Sequence, residues 1–317
     1  MRLFDFRHRT HGKCVGYRSM GIVLCIACVV GLLLGLTGCS TTEEQLAAKA
    51  VSIGLEGAGA VCDGAGVQIE DGNITITQHG IYRLSGTLHQ GQVLVDCADS
   101  GEVWLLLDGA EITNNNGACI YVKQADRTHV VLAADSVNRL TDGTSYTFDP
   151  GDDEPNGTIF ARDDIVLSGE GTLEIEANFK FAIAGKDDLT IQSGNYVLRS
   201  ARHGIKGKDN LVITGGNISI EAEGDGLKST NADGGTIQIT GGVVDLFAGD
   251  EGIQSVADVV ISGGAVTVDS KNNGIRSGTV LTVSGGTVAI NAEDNAIDAP
   301  DTKHTGGVLT VDGQEWQ

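Results

Sequence analysis

The sequence is short of most things that build a helical or aromatic-cored protein. Its 317 residues include 3 prolines, 2 methionines and 4% aromatics. After residue 60 no segment of useful length carries a 3.6-residue apolar period, which excludes a helix bundle. Basic residues are scarce, 21 against 42 acids, for a formal net charge of −21 at pH 7. A surface of that sign repels phosphate backbones and anionic lipid unless metal ions intervene, so nucleic acid is no partner. Histidines are scattered and no nucleophile elbow occurs, which removes Ser-His-Asp catalysis. Of seven cysteines, only Cys62, Cys97 and Cys119 lie beyond residue 39, without metal-ligand spacing. They allow one disulfide at most, or three small buried apolar groups.

What is abundant is glycine, 46 residues without a collagen-like triplet, among many Val, Ile and Thr. That mixture points to many short strands joined by tight turns. A small residue followed by an aliphatic one returns at Ala182-Ile183, Gly204-Ile205, Gly226-Leu227, Gly252-Ile253, Gly274-Ile275 and Ala296-Ile297, with steps of 22, 22, 26, 22 and 22 residues. The long step carries four extra residues at 232–235. Between successive steps lie an apolar pair, a hydroxyl with two glycines (Thr214-Gly215-Gly216 and its equivalents), and a second apolar pair. Three short strands per repeat, each with inward side chains at period two, describe one rung of a solenoid. The expected fold is all-β, a right-handed parallel β-helix of about 22-residue rungs. Coils of this length favour the right-handed type.

The chain divides in three. Residues 1–39 form a basic n-region (Arg2, Arg7, Arg9, Lys13, Arg18), then an apolar run too short for a confident membrane span. The run ends in Leu36-Thr37-Gly38-Cys39, which resembles a bacterial lipobox and implies cleavage before Cys39 and lipidation of its thiol. The expected protein is exported and lipid-anchored, facing the extracellular or periplasmic side. Residues 40–66 read as a flexible tether, too rich in Gly and Ala towards its end to hold a shape. The β-helix occupies 67–317. Its long polar insert, 141–157, reads as a solvated surface loop.

Stacking in register turns any charge repeated at 22 residues into a ladder. Asp163, Asp187 and Asp209 form one, with Arg162, Lys186 and Lys208 as neutralising neighbours. A second polar column precedes the Gly-Ile step: His203, Asp225, Asp250-Glu251, Asn272-Asn273, Asp294-Asn295. After the step come Lys206, Lys228, Gln254, Arg276 and Asp298. This column supplies the oxygen ligands that calcium takes with tolerance for irregular geometry. Ordinary solvated turns explain the same residues.

Several motifs, among them Tyr82-Arg83-Leu84-Ser85-Gly86, Leu106-Leu107-Asp108-Gly109, Ile159-Phe160-Ala161-Arg162-Asp163-Asp164 and Gly224-Asp225-Gly226-Leu227-Lys228-Ser229, resemble the carbohydrate-binding β-helix lipoproteins of bacteria. That family is similar to the family 9 pectate lyases. The resemblance spans residues 67–300 and implies bound calcium and affinity for cell-wall polysaccharide, acidic pectin-type chains included. It implies Asp225, Asp250, Glu251, Asp294 and Asp298 as calcium ligands, with Lys206 and Lys228 facing the sugar; Arg276 continues their column. The sequence departs from the pattern at Asn272-Asn273 and Asn295, where acids are usual, and at Ala296.

The expected function is non-catalytic recognition of acidic polysaccharide with calcium. Two alternatives stand beside it. One is calcium-dependent pectate lyase chemistry, with Lys206, Lys228 or Arg276 as base. The other is a structural adhesin without a glycan ligand. With only Trp104 and Trp316 in the chain, a flat aromatic platform for neutral sugars has little support.

Overall fold

In the computed structural model, residues 43–62, 64–148 and 150–316 are described. The expected leader, residues 1–39, and the expected lipidation site Cys39 lie outside the described residues. The described chain is a parallel β-helix of about ten turns with rungs of around 23 residues. A representative rung contains the strands His203–Gly207, Asn210–Ile213 and Asn217–Ala222. Each pairs in parallel with its counterparts one rung before and after, so the strands stack into three faces. We call them the first, second and third faces in the order the chain visits them.

The interior follows directly from the alternating pattern. On the first face Ile159, Ile183, Ile205, Leu227, Ile253, Ile275 and Ile297 are in register, and all but Ile297 are fully buried. On the third face the column Tyr196, Ile218, Val244, Val266, Val288 and Leu309 does the same. One rung cannot hide its inner face alone, so burial and the axial hydrogen bonds form only together with the next rung. The four extra residues fit without disturbing this order. They make a turn closed by Gly235 N–H donating to Asn231 O (2.8 Å), between Leu227–Ser229 and Thr236–Ile239.

Glycine serves two different purposes here. The second glycine of each pair sits at positive φ, as at Gly216 (94°) and Gly264 (83°), where a side chain would be strained. The glycine of the Gly-Ile step has ordinary φ and is required by crowding instead. A Cβ on Gly252 would lie 2.1 Å from Val268 Cγ1 and 2.7 Å from Gly274 O.

The expected tether is not one along most of its described length. Val51–Gly57 pairs in parallel with residues 82–88 and antiparallel with Ala60–Cys62, and Ile53 and Leu55 point into the core. Alternation, Val51-Ser52-Ile53-Gly54-Leu55, outweighs the Gly/Ala content because an edge rung is available to pair with. The short helix Glu43–Ala47 places Leu46 against Leu106, Val131 and Ala133 on the second face, and its Glu43 carboxylate accepts from Ala134 N–H. Together these elements cover the N-terminal rung, whose open edge would otherwise expose unpaired backbone. Cys62, Cys97 and Cys119 are all free thiols. Burial pushes the Cys119 thiol strongly upward, leaving it an inert apolar group.

Candidate functional site

The outward positions of the first face line up as one column: Tyr121, Phe160, Ala184, Lys206, Lys228, Gln254, Arg276 and Asp298. Alternation along each short strand forces them out because the residue before each is inward. The column holds Lys206, Lys228 and Arg276 on one surface, as the sequence spacing requires. The acids just before the Gly-Ile step flank the charged part of this column.

Three of those acids converge. Carboxylate oxygens of Asp225, Asp250 and Glu251 all lie within 4.8 Å of one another. The Asp225 side chain is 1% exposed and that of Glu251 4%. The Lys228 ammonium donates to Asp225 Oδ2 and to Gln254 Oε1. His203 Nδ1 accepts from the Asp225 backbone N–H (3.0 Å) and lies 3.2 Å from its Oδ2. Arg276 reaches Glu251 Oε1 at 3.2 Å and Asp298 Oδ2 at 3.3 Å. Asn272 Nδ2 donates to Asp250 Oδ1 (2.9 Å).

Electrostatics splits the three acids. Burial pushes Asp225 up, but the His203 side chain beside it, its hydrogen bonds with Lys228 and Glu251 and the Lys228 charge prevail and hold it well below the usual carboxylate range. Glu251 is raised, by burial first and then by Asp225 and Asp250 beside it. The donor set is oxygen only, buried at Asp225 and Glu251 and half-buried at Asp250, and carries more negative charge than Lys228 and Arg276 neutralise. It fits a hard divalent cation such as calcium, which would relieve the repulsion that raises Glu251.

The remaining expected ligands lie apart from that cluster. Asp298 is half-exposed and meets the group only through Arg276. Asp294 follows Asn272 in the stack, with its backbone N–H on Asn272 O (3.4 Å). Asn272 and Asn273 stand between these acids and the cluster, so the stack places Asp294 two rungs beyond Asp250.

Lys206 differs from its column neighbours. Among the described residues it has no carboxylate partner, and its Nζ sits 5.3 Å from the Phe181 ring centroid. Burial, reinforced by Lys228 and Lys186, lowers its pKa.

The insert is the part that sequence reasoning missed. Instead of a free loop, it is pinned against the first face. Tyr146 OH donates to Asp142 Oδ2 (2.5 Å), its ring stacks on Phe179 with centroids 4.4 Å apart, and Thr147 N–H donates to Asn116 O (2.8 Å). Glu154 takes Lys186 (2.5 Å) and Arg162 (3.5 Å). Those two bases were expected to neutralise the Asp163, Asp187 and Asp209 ladder; the insert claims them instead. Asp187 is accordingly raised, by burial and then by Asp209 and Asp163. A legible signal existed: Tyr121, Tyr146, Phe148, Phe160, Phe179 and Phe181 crowd one stretch of a chain with few aromatics.

With this geometry established, comparison with known proteins is informative. Residues 70–315 match the family described as carbohydrate-binding domain-containing protein. The chain belongs to that family. A member from Acetivibrio thermocellus, also described as a carbohydrate-binding domain-containing protein, is 37% identical over 186 residues, 56% of this chain and 65% of the relative. The match thus spans just under two thirds of that relative's length. A solved structure of a polysaccharide lyase-like protein from C. thermocellum, described as a gadolinium derivative, superposes with a TM-score of 0.67 and 32% identity. It covers 83% of this chain and 96% of its own. The carbohydrate-binding domain therefore occupies nearly the whole β-helix, and the acid cluster and the insert both lie inside it.

Proposed function

We propose that this carbohydrate-binding domain holds an acidic, pectin-like polysaccharide on its first face through calcium, as a non-catalytic lipoprotein anchored at Cys39. The observation that carries the reading is the convergence of Asp225, Asp250 and Glu251 within 4.8 Å, beside the column of Lys206, Lys228 and Arg276. A protein of net charge −21 repels uronate chains unless positive charge is concentrated where they bind. Bound calcium supplies that charge and bridges carboxylates of protein and sugar. The chain's own residues do the rest. Asp225 and Gln254 fix the Lys228 ammonium, Glu251 and Asp298 fix the Arg276 guanidinium, and both cations face the polysaccharide as oriented donors. The leader and Cys39 support export and anchoring.

The test is retention on immobilised polygalacturonate. Wild type is retained with millimolar calcium and released by EDTA, whereas Glu251→Gln loses retention at least ~10-fold, since each ligand set this small depends on every carboxylate. Retention unchanged by EDTA would remove calcium from the mechanism, and no retention on any glycan would favour an adhesin.

One observation favours a second reading, β-elimination. Lys228 donates to two acceptors and Arg276 holds two acids, so neither is free to take a proton. Of the three cations in the column, Lys206 is the one with no carboxylate partner among the described residues, and its pKa is lowered by burial, the state a general base requires. It would remove the C5 proton of a uronate; those electrons form the C4=C5 bond as the C4–O bond breaks, and the leaving oxygen takes a proton. Ultraviolet absorbance of the unsaturated product, rising with pH and absent in Lys206→Ala, is the signature. Its absence in wild type leaves the binding function alone.

A further inference from the structure

We propose that the first face carries a second saccharide subsite, a cleft of ≈ 640 Å³ beneath the insert, which takes neutral pyranose residues without any cation. It rests on the carbohydrate-binding reading of the domain but not on the calcium cluster.

The cleft is built before any ligand arrives. Its wall is the insert, held by the Tyr146–Asp142 hydrogen bond, the Tyr146–Phe179 stack and the Glu154 ion pairs described above. Its floor is the rung of Tyr121, packed against Phe160 and Phe181. Tyr121 on the floor and Tyr146 and Phe148 on the wall all line it. A volume of this size lies in the range of small-molecule sites.

The polar groups are of the type a sugar needs. Gln90, Gln92, Asn114 and Asn116 line the cleft, and an amide both donates and accepts, as a hydroxyl does. Three of these amides are oriented by the protein. Gln90 Nε2 donates to Asn114 Oδ1 (3.0 Å), while Gln92 Nε2 and Asn114 Nδ2 donate to Ala118 O at 2.9 and 2.7 Å. Asn116 is exposed, and among the described residues its amide side chain has no protein partner. Aromatic rings offer the complementary contact, an apolar surface for the C–H face of a pyranose.

Charge selects neutral sugar over uronate. The two cations of the cleft are already matched, Lys123 with Asp96 (2.7 Å) and Arg162 with Glu154 (3.5 Å). Asp71 and Asp152 also line it, and no described cation pairs with either. A sugar carboxylate would therefore meet unneutralised acids, whereas a hydroxyl is welcome. Tyr121 stands three rungs from Lys206 in the same column, roughly 14 Å at the ~4.8 Å strand spacing. One polysaccharide lying along the axis reaches both subsites.

Isothermal titration in EDTA tests this with cellotetraose, xylotetraose and β-1,4-galactotetraose as neutral probes. The chain from residue 43 onward, one compact unit with its own core, is the sample. At least one probe binds, and Tyr121→Ala and Asn116→Ala each weaken it ~10-fold or more, Asn116→Ala with an unchanged melting curve, as loss of a stacking or hydrogen-bonding anchor predicts. Glu251→Gln leaves this binding intact. If no probe binds in EDTA, or both cleft variants bind as wild type, the subsite does not exist. Asn116→Ala serves if Tyr121→Ala fails to fold, since the Asn116 contact to Thr147 is through backbone. Calcium-dependent retention on polygalacturonate, measured on the same samples, separates the two ideas. Its loss with tetraose binding preserved removes the calcium reading alone, and the reverse removes the subsite alone.

Discussion

The first face has two halves that use one column in opposite ways. From Tyr121 to Phe181 its outward surface is aromatic and walled by a pinned insert. From His203 to Asp298 it is charged and open, with each acid of the cluster tied to a base or an amide. The β-helix sets only the spacing of outward side chains, so the chemistry of each rung is free to differ. Like rings can stack rung upon rung. Like charges repel there, so most of the charged half draws opposite charges or amides from its own or adjacent rungs, while Lys206 stacks on Lys228 with no carboxylate partner among the described residues.

The largest loss of stability is expected in the charged half. Gly252→Ala places a methyl group against Val268 and the Gly274 carbonyl, and overpacking of a rigid core is expected to cost ~3 kcal/mol. Ala182 and Ala296 occupy the same step without such a demand, so Ala296→Gly should change the melting temperature little. Asp225→Ala comes next. It leaves Lys228 facing Gln254 alone, and removing one partner of a largely buried pair costs about 3 kcal/mol by denaturant titration at neutral pH. In the aromatic half, Tyr146→Phe keeps the stack on Phe179 but strips the hydroxyl from Asp142. A loss of ~1 kcal/mol and faster proteolysis within 142–157 are expected. Equal cleavage in wild type and variant would show that stacking alone pins the insert.

The smallest effect is a pH dependence. Burial raises the Asp142 carboxyl above its ordinary 3.8, although Tyr146 and the Asn178 backbone donate to it. A raised folded-state pKa means the folded chain takes up this proton before the unfolded chain does. The contribution of Asp142 to stability is thus least at neutral pH and grows as pH falls through the raised value. Wild type should gain on Asp142→Asn as pH drops from neutral towards 3.8. A difference that stays constant over that window would mean Asp142 titrates normally.

Much of this was legible in the residues. The Gly-Ile repeat specified the parallel β-helix, and the spacing of Lys206, Lys228 and Arg276 placed them on one column. Asp225, Asp250 and Glu251 were named as ligands, together with Asp294 and Asp298, by the family resemblance, and the repeat placed Asp225, Asp250-Glu251 and Asp294 in one column. Asp294 shows the limit of that reasoning: it belongs to the same periodic column, yet the asparagine rung keeps it away. Periodicity says which residues share a line and not which carboxylates converge across it. The tether was misread for a related reason, since Gly and Ala content describes what 51–57 does alone and not what a free sheet edge does to it.

The N-terminal rung, the insert and the fate of Glu154 were decided only in three dimensions. Tyr146 and Phe148 signal that 142–157 packs on something, but not on what; Phe179 lies on a later rung, and Asp142 becomes its anchor only once both are brought together. Local sequence determined the fold because each rung repeats the same inward pattern and its neighbour supplies the missing half of every hydrogen bond. The site needed the tertiary structure because many of its partners, such as Lys228 with Gln254 and Arg276 with Glu251, lie 20 or more residues apart, where only stacking decides which side chains meet.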